Sequence, residues 1–250
     1  MNYKAIIFDL DGTAMPPVPK GMPTLRLIQA VQSKKDIIHL SCATGRGWTF
    51  CKEILKVLQL QDLCIISAGT QIIDPKTGNI VWQVFIHPTD VKAVVEKLKP
   101  FLYEVLVNDE YPGDGKVAQQ RNHDFPINYI NVQAVSMEDA EEICREMKPI
   151  HGITCTKVHS QTHNHIDLHI TDHHATKEQA VHRLCHLLKI SPKETIGIGD
   201  GLNDVHLFSA VGYKVAMGNA VPELKKLADR VIGSLQEEGL AVFIEEISVR

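Results

Sequence analysis

The chain of 250 residues predicts an α/β protein in which an open parallel sheet is interrupted by an inserted α+β unit. Three observations predict this. Short apolar runs alternate with segments of helical period near both ends of the chain, the pattern of strands joined by crossover helices. The middle breaks that pattern, with two amphipathic helices set among strand-like runs. Two of the apolar runs stop abruptly at aspartates, Asp9 and Asp200, each with a glycine and further polar residues within the next four positions.

Taken in order, KAIIF (4–8) reads as a buried strand, and Leu25, Ile28 and Val31 share one face of the helix that follows. DIIHLSCA (36–43) is a second strand, Trp48, Cys51, Ile54, Leu55 and Leu58 recur at helical spacing, and LCIISA (63–68) is expected as the third parallel strand. TQIID and NIVWQVF then flank Pro75-Lys76-Thr77-Gly78, a turn cluster that suits a hairpin and marks the edge of the second unit. Val91, Val94, Val95 and Leu98 make one helix and Met137, Ala140, Ile143 and Met147 another, with INYINVQAV, GITCTKV and HIDLHIT as strands around them. From Lys177 the crossover pattern resumes. A helix carries Ala180, Val181, Leu184 and Leu188, followed by strand ETIGIGD, helix NDVHLFSAV, strand YKVAM and helix VPELKKLA with Pro222 in its first turn. One unit is therefore expected at 1–80 and 173–250, and the inserted one at 81–172.

Composition bounds the function. With 44% hydrophobic residues, 22% charged and a net charge of −4, the chain has no basic surplus for nucleic acid. No stretch approaches the roughly 18 apolar residues that span a membrane. The N-terminus turns polar at Asp9 and lacks the apolar region of a signal peptide. The six cysteines stand singly, without C-x-x-C pairs, which suits a reducing compartment. A cytoplasmic protein with no nucleic-acid or membrane partner is expected, as a monomer or a homodimer.

The acidic strand ends carry the chemistry. In IIFDLDGT (6–13), Asp11-Gly12 is explained by a turn, but Asp9 follows Phe8 where a strand interior ends in something apolar or neutral. GIGDGLND (197–204) repeats the design with Asp200, Asn203 and Asp204. Ligand sites of open parallel sheets lie beyond the carboxyl ends of strands, so both clusters are placed to share one crevice. If Asp9, Asp11, Asp200 and Asp204 meet, each pair at about 4 Å repels by roughly 4 kcal/mol at an effective dielectric near 20, and a cation is required. An all-oxygen set points to Mg²⁺ rather than Zn²⁺. Nucleotide motifs are set aside: Leu202 stands where G-x-G-x-x-G needs its third glycine, and no P-loop occurs.

Three further features each have two readings on the residues alone. In ATGR (43–46), Thr44 with backbone N–H groups holds an anion or simply caps a helix. Lys177 opens a helix after HHAT, either facing an anion or solvated at the surface. The 13 histidines bunch in HSQTHNHIDLH and beyond, as an exposed strand face or as metal ligands, although no zinc spacing is present.

Together D-L-D-G-T, A-T-G-R, the helix-opening lysine and G-D-G-L-N-D resemble the haloacid dehalogenase superfamily of Mg²⁺ phosphatases. The segment VAMGNAVPELKKLADRVIGSLQEEGLAVFIEE and the position of the insertion resemble its Cof-type branch, whose members carry a large α/β cap. Two departures fall near the substrate: Ala14-Met15-Pro16-Pro17 where leucines are usual, and Ser67-Ala68-Gly69 where Asn-Gly-Ala is common.

The resemblance implies a Rossmann-like core and hydrolysis of small phosphomonoesters, mostly sugar phosphates. It assigns Asp9 as nucleophile through an aspartyl-phosphate and Asp11 as acid/base. It assigns Mg²⁺ to Asp9, the Asp11 backbone carbonyl and Asp200. Leu10, Thr44, Gly45, Lys177 and Asn203 would hold the phosphate, and Asp204 would support a metal-bound water or Lys177. A phosphotransferase or phosphomutase shares this core, and a silent sugar-phosphate-binding protein is a third reading that the presence of both Asp9 and Asp11 disfavours. In HIDLHIT, Ile166, Leu168 and Ile170 are expected to pack on the cap helices. His165, Asp167 and His169 then face either solvent or the crevice.

Overall fold

The computed structural model describes residues 3–17, 21–107, 126–160 and 164–247. In chain order the elements are β1 (Ala5–Phe8), α1 (Leu25–Lys34), β2 (His39–Cys42), α2 (Trp48–Leu58), β3 (Cys64–Ile66), β4 (Gln71–Ile73) and β5 (Ile80–Gln83). Next come α3 (Pro88–Leu98), β6 (Glu104–Val107), β7 (Tyr129–Val135), α4 (Met137–Met147), β8 (Ile153–His159) and β9 (Ile166–Asp172). The chain closes with α5 (Lys177–Leu188), β10 (Thr195–Gly199), α6 (Asp204–Ala210), β11 (Tyr213–Ala216), α7 (Pro222–Leu227), β12 (Arg230–Val231) and α8 (Gly239–Glu246).

The first sheet is parallel, in the order β12-β11-β10-β1-β2. β1 is apolar throughout and wholly buried because it has a strand on each side and helices on both faces. From β1 the chain moves one way to β2, and from β10 it moves the other way to β11. The strand order therefore switches between β1 and β10, where such sheets open a crevice. Phe8 pairs with Ile198, so Asp9, one residue beyond Phe8, and Asp200, two beyond Ile198, leave the sheet close together at its carboxyl edge.

A four-stranded antiparallel sheet, β6-β7-β9-β8, belongs to the middle of the chain. Its apolar face packs on α3 and α4 in a separate cluster that includes Val91, Val94, Ile143, Ile166, Leu168 and Ile170. The remaining helices and the other strands except exposed β12 share a second cluster built on β1, β2, β10 and β11. Among the described residues no helix is long and apolar enough to cross a membrane.

Three expectations are corrected. β3 is not a member of the parallel sheet; it touches β2 through a single bridge, Ala43 to Ile65, and starts an antiparallel sheet β3-β4-β5. The cause is the chain reversal at Ser67 and Ala68, both in the left-handed region at φ 50° and 59°. Helix α1 buries Leu27, Ala30 and Val31 in the core cluster, whereas Leu25 is exposed, because the helix turns a neighbouring strip inward. Met137, the first residue of α4, is exposed, and the buried strip begins at Ala140. Strands β6 and β12 and helix α8 had no counterpart in the periodicity reading.

Candidate active site

The site forms where β1 and β10 end. Asp9 is 4% exposed and its Oδ1 accepts a 2.7 Å hydrogen bond from Lys177 Nζ. The same ammonium donates to Asp204 Oδ1 at 2.7 Å. Lys177 is 3% exposed, so the surface-lysine reading is wrong. It is placed by α5, whose N-cap Thr176 accepts from Gln179 N–H and so sets Lys177 at the first helical position, aimed inward. Burial opposes its charge, but Asp204 and Asp9 hold the ammonium protonated and lift its pKa above the ordinary lysine value.

Asp204 is fully buried and fully engaged. Its Oδ2 accepts from the backbone N–H groups of Asp200 and Gly201, both at 3.0 Å, so it braces the loop after β10 while holding Lys177. Asp200 accepts from Thr13 Oγ1 at 2.7 Å, which ties the two acidic loops together. Gly12 lies between them at φ +80°, and a side chain there would meet Asp200 Oδ2 at 2.2 Å. Asn219 Nδ2 donates to the Gly12 carbonyl at 2.8 Å and steadies the same turn.

Carboxylate oxygens of Asp9, Asp200 and Asp204 lie within 4.8 Å of one another. Burial, with Asp204 beside it, pushes the Asp200 carboxyl up to about 7, against the Thr13 hydrogen bond. Burial likewise raises Asp9, with Lys177 pulling down and Asp204, Asp200 and Asp11 pushing up. One lysine does not balance this group. The donor set is all oxygen, largely dry and short of positive charge, which fits a hard divalent cation.

Asp11 stands apart from that cluster. Both its oxygens accept from Arg46, at 2.7 Å from Nε and 2.6 Å from Nη2. This bidentate clamp was not anticipated, although Arg46 is the last residue of ATGR. Thr44 is fully buried and is no helix cap: α2 takes Gly47 as its N-cap, and Thr44 Oγ1 accepts from Arg46 N–H at 3.1 Å. Leu10 is buried, and its carbonyl accepts from Thr13, Ala14 and Met15, coiling the loop after β1 so that Asp9 and Asp11 diverge.

A cavity adjoins the Lys177 side. Gly45, Ala68, Thr176, Lys177, Asn203 and His206 line it from one side, and Thr156, His169 and Thr171 from the four-stranded sheet. His169 reaches closest: a Cβ on Gly45 would lie 2.9 Å from its Cε1. Burial, with Lys177 nearby, lowers His169 to about 3, so it is neutral. Tyr129 meets its ring edge-on with centroids 5.0 Å apart. Of the polar face expected in HIDLHIT, His169 enters the crevice, Asp167 accepts from Ala134 N–H, and half-buried His165 is not among the cavity-lining residues.

Asn131 pairs with His169 across the β7–β9 ladder, and Thr156 pairs with His169 on the other side. Directly opposed residues share a face, so Asn131, His169 and Thr156 form one polar row. Asn131 is 8% exposed and its Oδ1 has no hydrogen-bond partner among the described residues. Neither Asn131 nor His206 is marked out by the sequence alone; the strand register places Asn131 in this row.

A family model described as haloacid dehalogenase-like hydrolase matches residues 6–111 and 108–244. The chain is 33% identical to phosphatase YwpJ of Bacillus subtilis, over 98% of this chain and 99% of the relative. It is 24% identical to an HMP-PP phosphatase of Yersinia enterocolitica, over 97% and 94%. Its fold is similar to a haloacid dehalogenase-like hydrolase from B. subtilis, with TM-score 0.82 and 22% identity over 98% and 100%. A subclass IIB sugar phosphatase of the same superfamily gives TM-score 0.79 and 19% identity over 97% and 98%. With a family model spanning nearly the whole chain and a full-length relative one third identical, this chain belongs to the haloacid dehalogenase-like hydrolases.

Proposed function

We propose that the protein is a Mg²⁺-dependent phosphatase of small phosphomonoesters, sugar phosphates foremost, acting through a phosphoryl group carried on Asp9. The observation that supports this best is the buried Asp9–Lys177–Asp204 array with Asp200 beside it at the strand switch point. A carboxylate held by an ammonium at the mouth of a crevice is a nucleophile aimed at an anionic substrate.

Asp9 attacks phosphorus and the ester oxygen leaves. Asp11 gives that oxygen its proton and later takes one from the attacking water. Both Asp11 oxygens accept from Arg46 as they stand, so Asp11 has to turn from Arg46 toward the leaving group to do so. Lys177, Thr44, Asn203 and the backbone N–H groups of Leu10 and Gly45 face the phosphoryl oxygens, where charge shifts in the transition state. Asp9, Asp200 and the Asp11 carbonyl are the residues to hold Mg²⁺, since both Asp204 oxygens are taken by Lys177 and backbone N–H groups. When bound, the cation supplies the charge neutralisation that lets a phosphate dianion approach carboxylates.

The unit at 81–172 acts as a cap that selects the leaving group. Its wall of the cavity is neutral and polar, with Thr156, His169 and Thr171, and Asn131 in the same row, suited to sugar hydroxyls. Phosphate release measured across sugar phosphates, nucleotides and polyol phosphates tests the reading. Release from sugar phosphates that stops in chelator and returns with Mg²⁺ is expected. Full activity without a divalent cation, or transfer of the phosphate to a second sugar instead of water, contradicts it.

A further inference from the structure

The six cysteines divide by position. Cys42, Cys51, Cys64 and Cys185 are buried in the core around the parallel sheet. Cys144 and Cys155 are only partly buried, and their sulfurs lie 3.2 Å apart between α4 and β8. Closing to the roughly 2.05 Å of a bond asks for a movement of about 1 Å. Lys157 lies on the same side of β8 as Cys155 and pairs with Glu141, one turn before Cys144 on α4. A cation is thus built in next to the two thiols.

We propose that Cys144 and Cys155 are a reversible redox pair, closed to a disulfide by low-molecular-weight disulfides and reopened by small thiols. The contact with Cys155 lowers the Cys144 pKa, against burial and the Glu141 carboxylate and with help from Lys157, and Cys144 is the attacking sulfur in this scheme. Its thiolate attacks one sulfur of the small disulfide and expels a thiolate, leaving a mixed disulfide on Cys144. Cys155 loses its proton to solvent, attacks the Cys144 sulfur and expels the second thiolate. Two protein thiols and one small disulfide become one protein disulfide and two small thiols. In a reducing compartment such a bond is transient, which makes it a reporter of redox poise rather than a structural staple.

The consequence is local to the cap wall. Thr156, next to Cys155, lines the cavity and pairs with His169, so the bond straps to α4 the strand that presents it. The pair itself stands whatever the substrate is.

The full-length reduced protein, incubated with a series of oxidised-to-reduced glutathione ratios, is quenched by alkylation and mapped by peptide mass spectrometry. The expected result is a linked Cys144–Cys155 peptide whose yield rises and falls reversibly with the ratio, while the other four cysteines alkylate only after denaturation. Cys155→Ser is expected to accumulate glutathione on Cys144, and Cys144→Ser to react more slowly at Cys155. Both thiols remaining alkylatable at every ratio, or each carrying glutathione with no linked peptide in the parent, overturns the proposal.

Discussion

Two walls meet at the cavity, and they are built on opposite principles. The wall from the parallel sheet carries four charged groups: Asp9, Lys177 and Asp204 are buried and tied to one another or to backbone N–H groups, and half-buried Asp200 accepts from the Thr13 hydroxyl. The wall from the antiparallel sheet brings only neutral groups, Thr156, His169 and Thr171. Buried charges are expensive unless paired, and their geometry is therefore fixed by their partners. Neutral hydroxyls and an imidazole exchange partners at little cost. Chemistry is expected to reside on the charged wall and choice of substrate on the neutral one, so substitutions on the two walls should fail in different ways.

Asp9→Asn is expected to give the largest effect: turnover falls by roughly three orders of magnitude or more, because no other described group on this wall replaces the proposed nucleophile. Circular dichroism and thermal melting should show the fold kept. Asp11→Asn retains the backbone carbonyl and loses the proton carrier, so turnover falls by about 10²–10⁴ while substrate binding persists, as equilibrium binding can check. An unchanged maximal rate removes Asp11 from the mechanism.

Lys177→Met sharpens the contrast through stability. It strands Asp9 and Asp204 without their cation, and a loss on the order of 3–5 kcal/mol is expected in denaturant unfolding. Divalent cation should recover part of it. A loss under about 1 kcal/mol would mean that the array is looser than its 2.7 Å contacts imply.

On the neutral wall, His169→Ala and Asn131→Ala should each re-rank sugar phosphates by about tenfold and leave an aryl phosphate almost untouched. If either cuts aryl phosphate turnover as deeply, the division between the walls is broken. His169 also has a pH signature. Its pKa is lowered to about 3 from 6.5, so the folded state binds fewer protons than the unfolded one between those values. Stability is full above about 6.5 and falls as the pH drops toward 3; His169→Gln should flatten that acid limb in pH-dependent melting. The smallest effect is Ala68→Gly, which relieves a left-handed alanine and should stabilise by about 1 kcal/mol or less.

The charged wall was legible in the sequence because a charge at the end of an apolar strand contradicts its surroundings. Asp9 and Asp200 stand out for that reason, and Asp11, Asp204 and Lys177 follow from their spacing and the family pattern. The turn at Ser67 and Ala68 was hidden, since non-glycine residues with positive φ leave no compositional trace, and β3 was consequently assigned to the wrong sheet. Arg46 was in view but had no partner until the loop after β1 coiled Asp11 toward it. Asn131 was invisible as a site residue because a lone asparagine in a strand reads as solvent-facing, and only the register with His169 and Thr156 places it in a row.

The central claim is that Asp9 carries the phosphoryl group. Slowing the second half of the reaction with Asp11→Asn should let that intermediate accumulate. The variant is mixed with Mg²⁺ and a sugar phosphate that it hydrolyses, quenched in acid within the first turnover, and mapped by peptide mass spectrometry. One phosphoryl group is expected on the peptide containing Asp9, at that residue, and none when Asp9→Asn is added. Continued release of phosphate with Asp9 unmodified at every quench time would contradict it.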